Sequence, residues 1–147
     1  MNASATRRIL MIDDDRKLAA LVKDYLEPMG FQLDLRHDGA TGLQQALAEK
    51  YDAIILDVMM PIMDGYAVCS RLKNDARTCD IPVLFLTAAT QPEDEERGIQ
   101  LGAMDYISKP ISPALVLARV ATQLQLRRAT QAAEKQGQMC NTSQSSS

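Results

Sequence analysis

The chain has 147 residues, a length that fits one domain with a short tail. Hydrophobic residues make up 46 % of it, enough to bury a core, and a net charge of −3 gives no indication of a general affinity for nucleic acid. No apolar run approaches the roughly 20 residues that a membrane span requires, and the opening MNASATRR is not a secretory signal. We therefore expect a cytoplasmic protein with no membrane partner and no direct contact with nucleic acid.

The cysteines and the histidine indicate no metal site. Cys69, Cys79 and Cys140 lack metal-ligand spacing, and we predict that all three are reduced thiols. The single histidine, His37, lies in a polar stretch with no cysteine nearby, so neither a metal nor a catalytic role is predicted for it.

Apolar runs alternate with helical patterns in the first part of the chain. Residues 9–12 form a short apolar run that ends in acid, which is typical of a buried strand. An apolar stripe over 19–26 predicts a helix that ends near Pro28. Residues 31–35 alternate apolar and polar, as a half-buried strand does, and residues 39–50 predict a second helix.

The same alternation continues to the final helix. Residues 53–56 form a second apolar run ending in aspartate, and helical spacing returns over 68–72. Residues 81–86 are the most hydrophobic strand candidate. The remaining elements are a helix opened by Pro92 and followed by four acidic residues, a short strand at Tyr106 and Ile107, and a last helix opened by Pro113.

Five strand–helix units in succession predict an α/β fold. Continuous apolar strands indicate that both faces of the sheet are covered, so the sheet is expected to be parallel and doubly wound. In open sheets of this kind the functional site lies beyond the carboxyl ends of the strands. The residues that follow the strands are therefore the candidates for chemistry.

Acids, a hydroxyl and an ammonium follow these strands. Strand one ends in Asp13, Asp14 and Asp15, strand three in Asp57, strand four in Thr87, and strand five runs into Lys109. Crowded carboxylates favour a hard cation such as Mg²⁺, and phosphoryl transfer needs an oxygen nucleophile, a metal and donors for the phosphoryl oxygens. Each residue also has an ordinary interpretation, since an aspartate after a strand is often a helix cap, as we expect for Asp15.

Four motifs resemble those of the response-regulator receiver family of two-component signalling. They are ILMIDDD at the first strand, ILDVMMPIMDGY at the third, VLFLTA at the fourth and DYISKPIS at the fifth, and the resemblance covers about residues 7–125. It implies a flavodoxin-like (βα)5 fold with strand order 2-1-3-4-5. It also implies a signalling switch, not a metabolic enzyme, that catalyses its own Mg²⁺-dependent phosphorylation and slow autodephosphorylation.

The resemblance assigns a role to each motif residue. Asp57 would be the phosphoacceptor, and Mg²⁺ would be held by Asp14, Asp57 and the backbone carbonyl of Met59, with Asp13 acting through water. Thr87 and Lys109 would bind the phosphoryl oxygens, with Lys109 and Pro110 joined by a cis peptide. Tyr106 would turn inward with Thr87 on activation, and the small Ala88 leaves room for the phosphoryl group. Met59 and Ala89 flank the path of hydrolytic water and would set the lifetime of the phosphorylated state.

The resemblance also implies partners. The phosphodonor would be a histidine kinase or a histidine phosphotransfer protein docking near helix one, and activation would reshape the face formed by helix four, strand five and helix five. In one branch of the family this face dimerises through positions that match Asp105 and Arg119, although Leu115 replaces an acid expected there.

Domain limits and competing functions complete the predictions. We expect an N-terminal arm over 1–6, the receiver over 7–128, and a helical extension with a disordered Ser-rich tail over 129–147, either in a stand-alone receiver or ahead of an output domain. One alternative is a haloacid-dehalogenase-like phosphatase with its first motif at Asp13, although Lys17 stands where that motif needs Thr or Val. The other is a receiver fold that accepts no phosphate and serves only as a binding module.

Overall fold

The computed structural model describes residues 6–88, 96, 100 and 105–134, apart from the side chains of 128–134. Five strands are present: β1 (Arg7–Ile12), β2 (Phe31–Arg36), β3 (Ala53–Asp57), β4 (Val83–Thr87) and β5 (Asp105–Ser108). The described helices are α1 (Arg16–Leu26), α2 (Gly39–Ala48), α3 (Gly65–Lys73) and a C-terminal helix (Pro113–Glu134), with a 3₁₀ turn at Glu27–Met29. The helix predicted to begin at Pro92 lies largely outside the described residues.

The strands form one parallel sheet in the order β2-β1-β3-β4-β5, which confirms the predicted fold. Successive side chains of a strand point to opposite faces. Ile9 and Met11 of β1 therefore share a core with α1 and the C-terminal helix, whereas Leu10 and Ile12 share a core with α3. Both faces of the sheet are covered, as continuous apolar strands require.

Aspartates begin three of the helices. The side chains of Asp15, Asp38 and Asp64 accept hydrogen bonds from backbone nitrogens in the first turns of α1, α2 and α3 respectively. Such caps satisfy donors that the helix itself leaves unpaired. The cap predicted for Asp15 is confirmed.

Among the element boundaries that differ from the prediction are the start of β4 and the end of α2. Strand β4 begins at Val83 and not at Ile81, because Pro82 has no N–H to donate to a neighbouring strand. The carbonyl of Pro82 nevertheless accepts a hydrogen bond of 2.9 Å from Ile54, which aligns β4 with β3. Helix α2 ends at Ala48, two residues before the predicted end.

The prediction that all three cysteines are reduced is wrong for Cys79. Cys69 is a free, fully buried thiol, but Cys79 is disulfide-bonded. Cys79 lies in the half-exposed turn before β4, and spacing along the chain does not reveal which thiols approach each other in space.

None of the helices in the described part of the chain is long and apolar enough to cross a membrane.

Candidate active site

Three carboxylates meet at the carboxyl end of the sheet. Strands β1 and β3 are neighbours, with Ile12 opposite Leu56, so the residues that follow them are brought together. Oxygen atoms of Asp13, Asp14 and Asp57 all lie within 4.8 Å of one another. Asp13 and Asp57 are 0 % and 1 % exposed, whereas Asp14 is exposed and leaves the cluster open to solvent on one side.

Burial and mutual repulsion disfavour the charges of this cluster. Burial, together with the neighbouring charge of Asp13, raises the pKa of Asp57 to about 7. Burial also raises the pKa of Asp13. The carboxylates are therefore held where only a cation can make their full ionisation favourable.

One cation of the chain already contacts the cluster. The Lys109 ammonium lies 3.2 Å from Asp57 Oδ1 in an ion pair. The backbone nitrogen of Lys109 donates to the carbonyl of Thr87 at 2.8 Å, which places the lysine beside the end of β4. Thr87 is 2 % exposed, and the cis peptide predicted between Lys109 and Pro110 is confirmed.

The donor set fits a divalent oxygen-ligated cation such as Mg²⁺. Asp13 Oδ1 accepts a hydrogen bond of 2.9 Å from the nitrogen of Asp15, but Asp13 Oδ2 is buried with no hydrogen-bond partner among the described residues. A buried carboxylate oxygen without a partner carries a desolvation penalty that a metal ion or its water would remove.

The loop between β3 and α3 is partly exposed beside Asp57. The nitrogen of Met59 is 3.3 Å from Asp57 Oδ1, and the Met59 side chain is 65 % exposed. Ile62 is fully exposed and has a φ of 72°, in the left-handed region that β-branched residues rarely adopt. The roles predicted for Met59 as a metal ligand and in setting the lifetime of the phosphorylated state remain predictions, and Ala89 lies outside the described residues.

Gly65 is a site residue that the sequence analysis missed. A Cβ at this position would lie 2.4 Å from the carbonyl oxygen of Asp57 and 2.9 Å from Cα of Val58. Both are backbone atoms that cannot easily move, so the first turn of α3 packs directly beneath the end of β3. The sequence signal was the pair Asp64–Gly65 at the start of a helical pattern, a cap followed by a residue without a side chain.

His37 was placed away from the chemistry by the sequence analysis, yet its Nδ1 is 3.0 Å from the backbone carbonyl of Asp13. The same edge of the sheet explains the contact, because β2 pairs with β1 and the carbonyl of Arg36 accepts from the nitrogen of Asp13 at 3.0 Å. Applying the strand-end rule to β2 as well as to the acidic strands would have identified it.

The predicted switch residue Tyr106 lies in β5, and the predicted dimer residues, Asp105 and Arg119, lie in β5 and the C-terminal helix. The half-buried ring of Tyr106 packs against Phe85, with centroids 5.4 Å apart. Asp105 and Arg119 form an ion pair of 2.7 Å within the chain. The two residues therefore contact each other in a single copy of the protein.

Comparisons with known proteins agree with this geometry. Residues 9–121 match the response regulator receiver domain family. The DNA-binding dual master transcriptional regulator RpaA of Synechocystis is 46 % identical over 77 % of this chain and 47 % of its own length. The alkaline phosphatase synthesis transcriptional regulatory protein PhoP of Bacillus subtilis is 40 % identical over 78 % of this chain and 47 % of its own length.

A similar solved structure is that of a putative response regulator from Chloroflexus aurantiacus, with a TM-score of 0.76 and 33 % identity over 81 % of this chain and 98 % of that chain. The chain spans about half the length of the curated relatives that it matches. The sequence match, the sheet order and the acidic strand ends agree, and the chain belongs to the response regulator receiver family of two-component systems.

Proposed function

We propose that Asp57 accepts a phosphoryl group from a phosphohistidine donor in a reaction that depends on Mg²⁺. The observation that carries the proposal is the placement of the Asp57 carboxylate, which is 1 % exposed, clustered with Asp13 and Asp14, and 3.2 Å from an ammonium. A carboxylate oxygen attacks the phosphorus, the new O–P bond replaces the N–P bond, and the electron pair of that bond returns to the donor's imidazole nitrogen.

The residues around Asp57 are proposed to hold the metal and to bind the phosphoryl oxygens. The metal would be held by Asp14, Asp57 and the carbonyl of Met59, with Asp13 acting through water, and it would supply positive charge for the phosphoryl oxygens. Lys109 moves its contact from Asp57 to a phosphoryl oxygen as the carboxylate charge is consumed. The clustering of the carboxylates and the ion pair support the roles of the aspartates and of Lys109, whereas that of the Met59 carbonyl rests on the family resemblance.

Thr87 and Tyr106 form the proposed switch. Thr87 is almost completely buried at the end of β4, next to the strand that carries Asp57. A phosphoryl group that accepts a hydrogen bond from the Thr87 hydroxyl favours a position of Thr87 closer to β3, and the half-buried ring of Tyr106 fills the space left behind. The phosphoryl group shifts this equilibrium only as far as it binds the active arrangement more tightly.

The phosphodonor is proposed to be a histidine kinase or a histidine phosphotransfer protein that docks beside α1. Large apolar side chains are exposed on this side and around the pocket, namely Leu21, Tyr25, Met59 and Ile62. Met59 and Ile62 belong to the loop that follows Asp57, and exposed apolar groups beside a reactive carboxylate suit a partner that must exclude water while the phosphoryl group is transferred. Leu21 and Tyr25 add exposed apolar surface along α1.

Two downstream partners are proposed, an output domain and a second copy of the chain. Because relatives of about twice the length have names that describe transcriptional regulators, we propose that an output domain follows the C-terminal helix in the complete protein.

A homodimer through β5 and the C-terminal helix would exchange the ion pair of Asp105 and Arg119 for pairs between copies. The cytoplasmic location also stays a prediction, and disulfides such as that of Cys79 are rare in reducing compartments.

The two alternative functions are less well supported. The phosphatase alternative makes Asp13 the nucleophile, but Lys17 stands where its motif needs Thr or Val and the family match is to receivers. Only labelling with a phosphodonor distinguishes a receiver fold that accepts no phosphate from a receiver that does.

The test is labelling of the full chain with phosphoramidate or acetyl phosphate, read by intact mass. We expect one added phosphoryl group with Mg²⁺ and none after chelation with EDTA. Asp57→Asn should accept none, whereas the control Asp24→Asn, which alters an exposed acid of α1, should label as the wild type does. Equal labelling of Asp57→Asn would contradict the nucleophile assignment, and an unlabelled but folded wild type would identify a binding module.

A further inference from the structure

The C-terminal helix and the segment just before it contact opposite ends of β3. At the carboxyl end of this strand, Lys109, which lies just before the helix, contacts Asp57 at 3.2 Å. At the amino end, Nη1 of Arg127 donates to the carbonyls of Tyr51 (3.1 Å) and Asp52 (2.8 Å), which immediately precede the strand. The strand that carries the proposed phosphoacceptor is therefore contacted at its start by the C-terminal helix and at its end by the segment that leads into this helix.

Arg127 continues the face by which the helix packs on the sheet. Val116, Val120 and Leu124 are buried against the core on this side, and Arg127 follows at the next helical position on the same face. Its side chain is only 17 % exposed, so the aliphatic part lies along the protein and the guanidinium reaches the backbone.

The guanidinium makes three contacts at the amino edge of the sheet. One terminal nitrogen, Nη1, donates to both carbonyls, and the other, Nη2, lies 3.4 Å from Asp80 Oδ2 in the turn before β4. Arg127 thus joins the helix to two loops at the amino edge of the sheet, the one that leads into β3 and the one that leads into β4.

We infer that Arg127 is a clamp that fixes the direction in which the C-terminal helix leaves the domain. The helical backbone continues past the clamp to Glu134. With Arg127 in place, any segment attached beyond this point is held rigidly relative to β3. Without it, Leu124 is the last buried apolar residue of the helix among the side chains that the structure describes, and we expect the turns beyond it to fray and to change direction more readily. The clamp makes no contact with the reactive pocket and does not depend on phosphoryl transfer.

Hydrogen–deuterium exchange of the full chain tests the clamp. In Arg127→Ala we expect amides over 121–134 to exchange faster by about tenfold, while amides of β1 keep the wild-type rate. In Arg127→Lys the charge remains, but the shorter side chain with one nitrogen cannot reach the two carbonyls and Asp80 together, and an intermediate rate is expected. The control Arg119→Ala removes a guanidinium from the same helix that pairs with Asp105, and it should leave 121–134 unchanged.

Three results would overturn the inference. The first is exchange over 121–134 in Arg127→Ala within about twofold of wild type. The second is an equal increase in β1 in both Arg127 variants, which would show general loss of stability or of folding. The third is wild-type exchange in Arg127→Lys. This result would show that a positive charge near Asp80 is enough and that the hydrogen bonds of the guanidinium to the two carbonyls do not hold the helix.

Discussion

Asp57 and Lys109 form an ion pair of 3.2 Å inside a pocket that also contains the buried carboxylate of Asp13. The pair does not balance the charges, because two buried carboxylates share one ammonium. Burial and the repulsion from Asp13 outweigh the attraction of Lys109, which is why the pKa of Asp57 lies well above its ordinary value. The pocket is thus arranged for a further cation at some cost to stability.

Asp57→Asn should therefore stabilise the protein when no divalent metal is present. An isosteric amide removes one crowded charge and retains the shape, so we expect a gain of about 1–3 kcal/mol at pH 8 in EDTA. Mg²⁺ should raise the unfolding midpoint of the wild type more than that of the variant. Urea unfolding with and without Mg²⁺ measures both effects, and a variant less stable than wild type in EDTA would show that the Lys109 pair dominates.

Gly65→Ala should destabilise the protein and slow its phosphorylation. The added Cβ meets backbone atoms of Asp57 and Val58, so either α3 or the end of β3 must shift, at a cost of about 1–3 kcal/mol. The matched control is Gly30→Ala, where a Cβ has no neighbour within 4 Å and only the positive φ is strained. The control should also lose stability, through backbone strain at the positive φ, but it should label with acetyl phosphate as wild type does. Equal labelling rates for Gly65→Ala would show that the pocket tolerates the shift.

The phosphorylated state should be long-lived for a receiver. Met59 is large and apolar beside Asp57, and Ala89 offers no hydrogen bond to a hydrolytic water. We expect Met59→Asn/Ala89→Glu to lose phosphate faster by about tenfold, or roughly 1.4 kcal/mol of barrier. The rate is followed after removal of the donor, with the exposed and distant Met29→Asn as control. A double mutant as slow as wild type would exclude these side chains from setting the lifetime.

Activation is expected to favour a dimer through β5 and the C-terminal helix. In a single copy, Arg119 and Asp105 already satisfy each other, so dimerisation must exchange existing ion pairs and should be weak without activation. Sedimentation with and without beryllofluoride would show the change in mass, and Arg119→Ala should reduce it. A monomer under both conditions would end the dimer hypothesis.

Tyr51→Phe should remove part of the alkaline loss of stability. The Tyr51 hydroxyl donates to Asp34, and burial followed by this contact raises the pKa of Tyr51 to about 12. The folded state therefore keeps a proton that the unfolded state loses near pH 10, so the contribution is complete below pH 10 and is lost as pH rises through about 12. We expect a loss of about 1 kcal/mol at pH 7 that shrinks above pH 10, measured by urea unfolding. A difference that stays constant to pH 11 would contradict this assignment.

Patterns along the chain predicted the sheet, its covered faces and the residues at the strand ends, because each depends on local periodicity or on the common direction of parallel strands. The start of β4 was misplaced because apolar character continues through Pro82, which cannot donate to the sheet. The close approach of Gly65 to Asp57, the contact of His37 with Asp13 and the reach of Arg127 to β3 were not predicted. Each of these joins segments whose distance only the packed fold determines.

The left-handed backbone of Ile62 has a consequence for engineering. A β-branched residue in this conformation is strained by roughly 1–2 kcal/mol, and its fully exposed side chain recovers nothing by packing within the chain. Replacement by asparagine, which tolerates the same backbone angles, should raise the melting temperature. If the donor uses the isoleucine as an anchor, the same change should slow its turnover. Thermostability and recognition would then be in opposition at one residue beside the pocket.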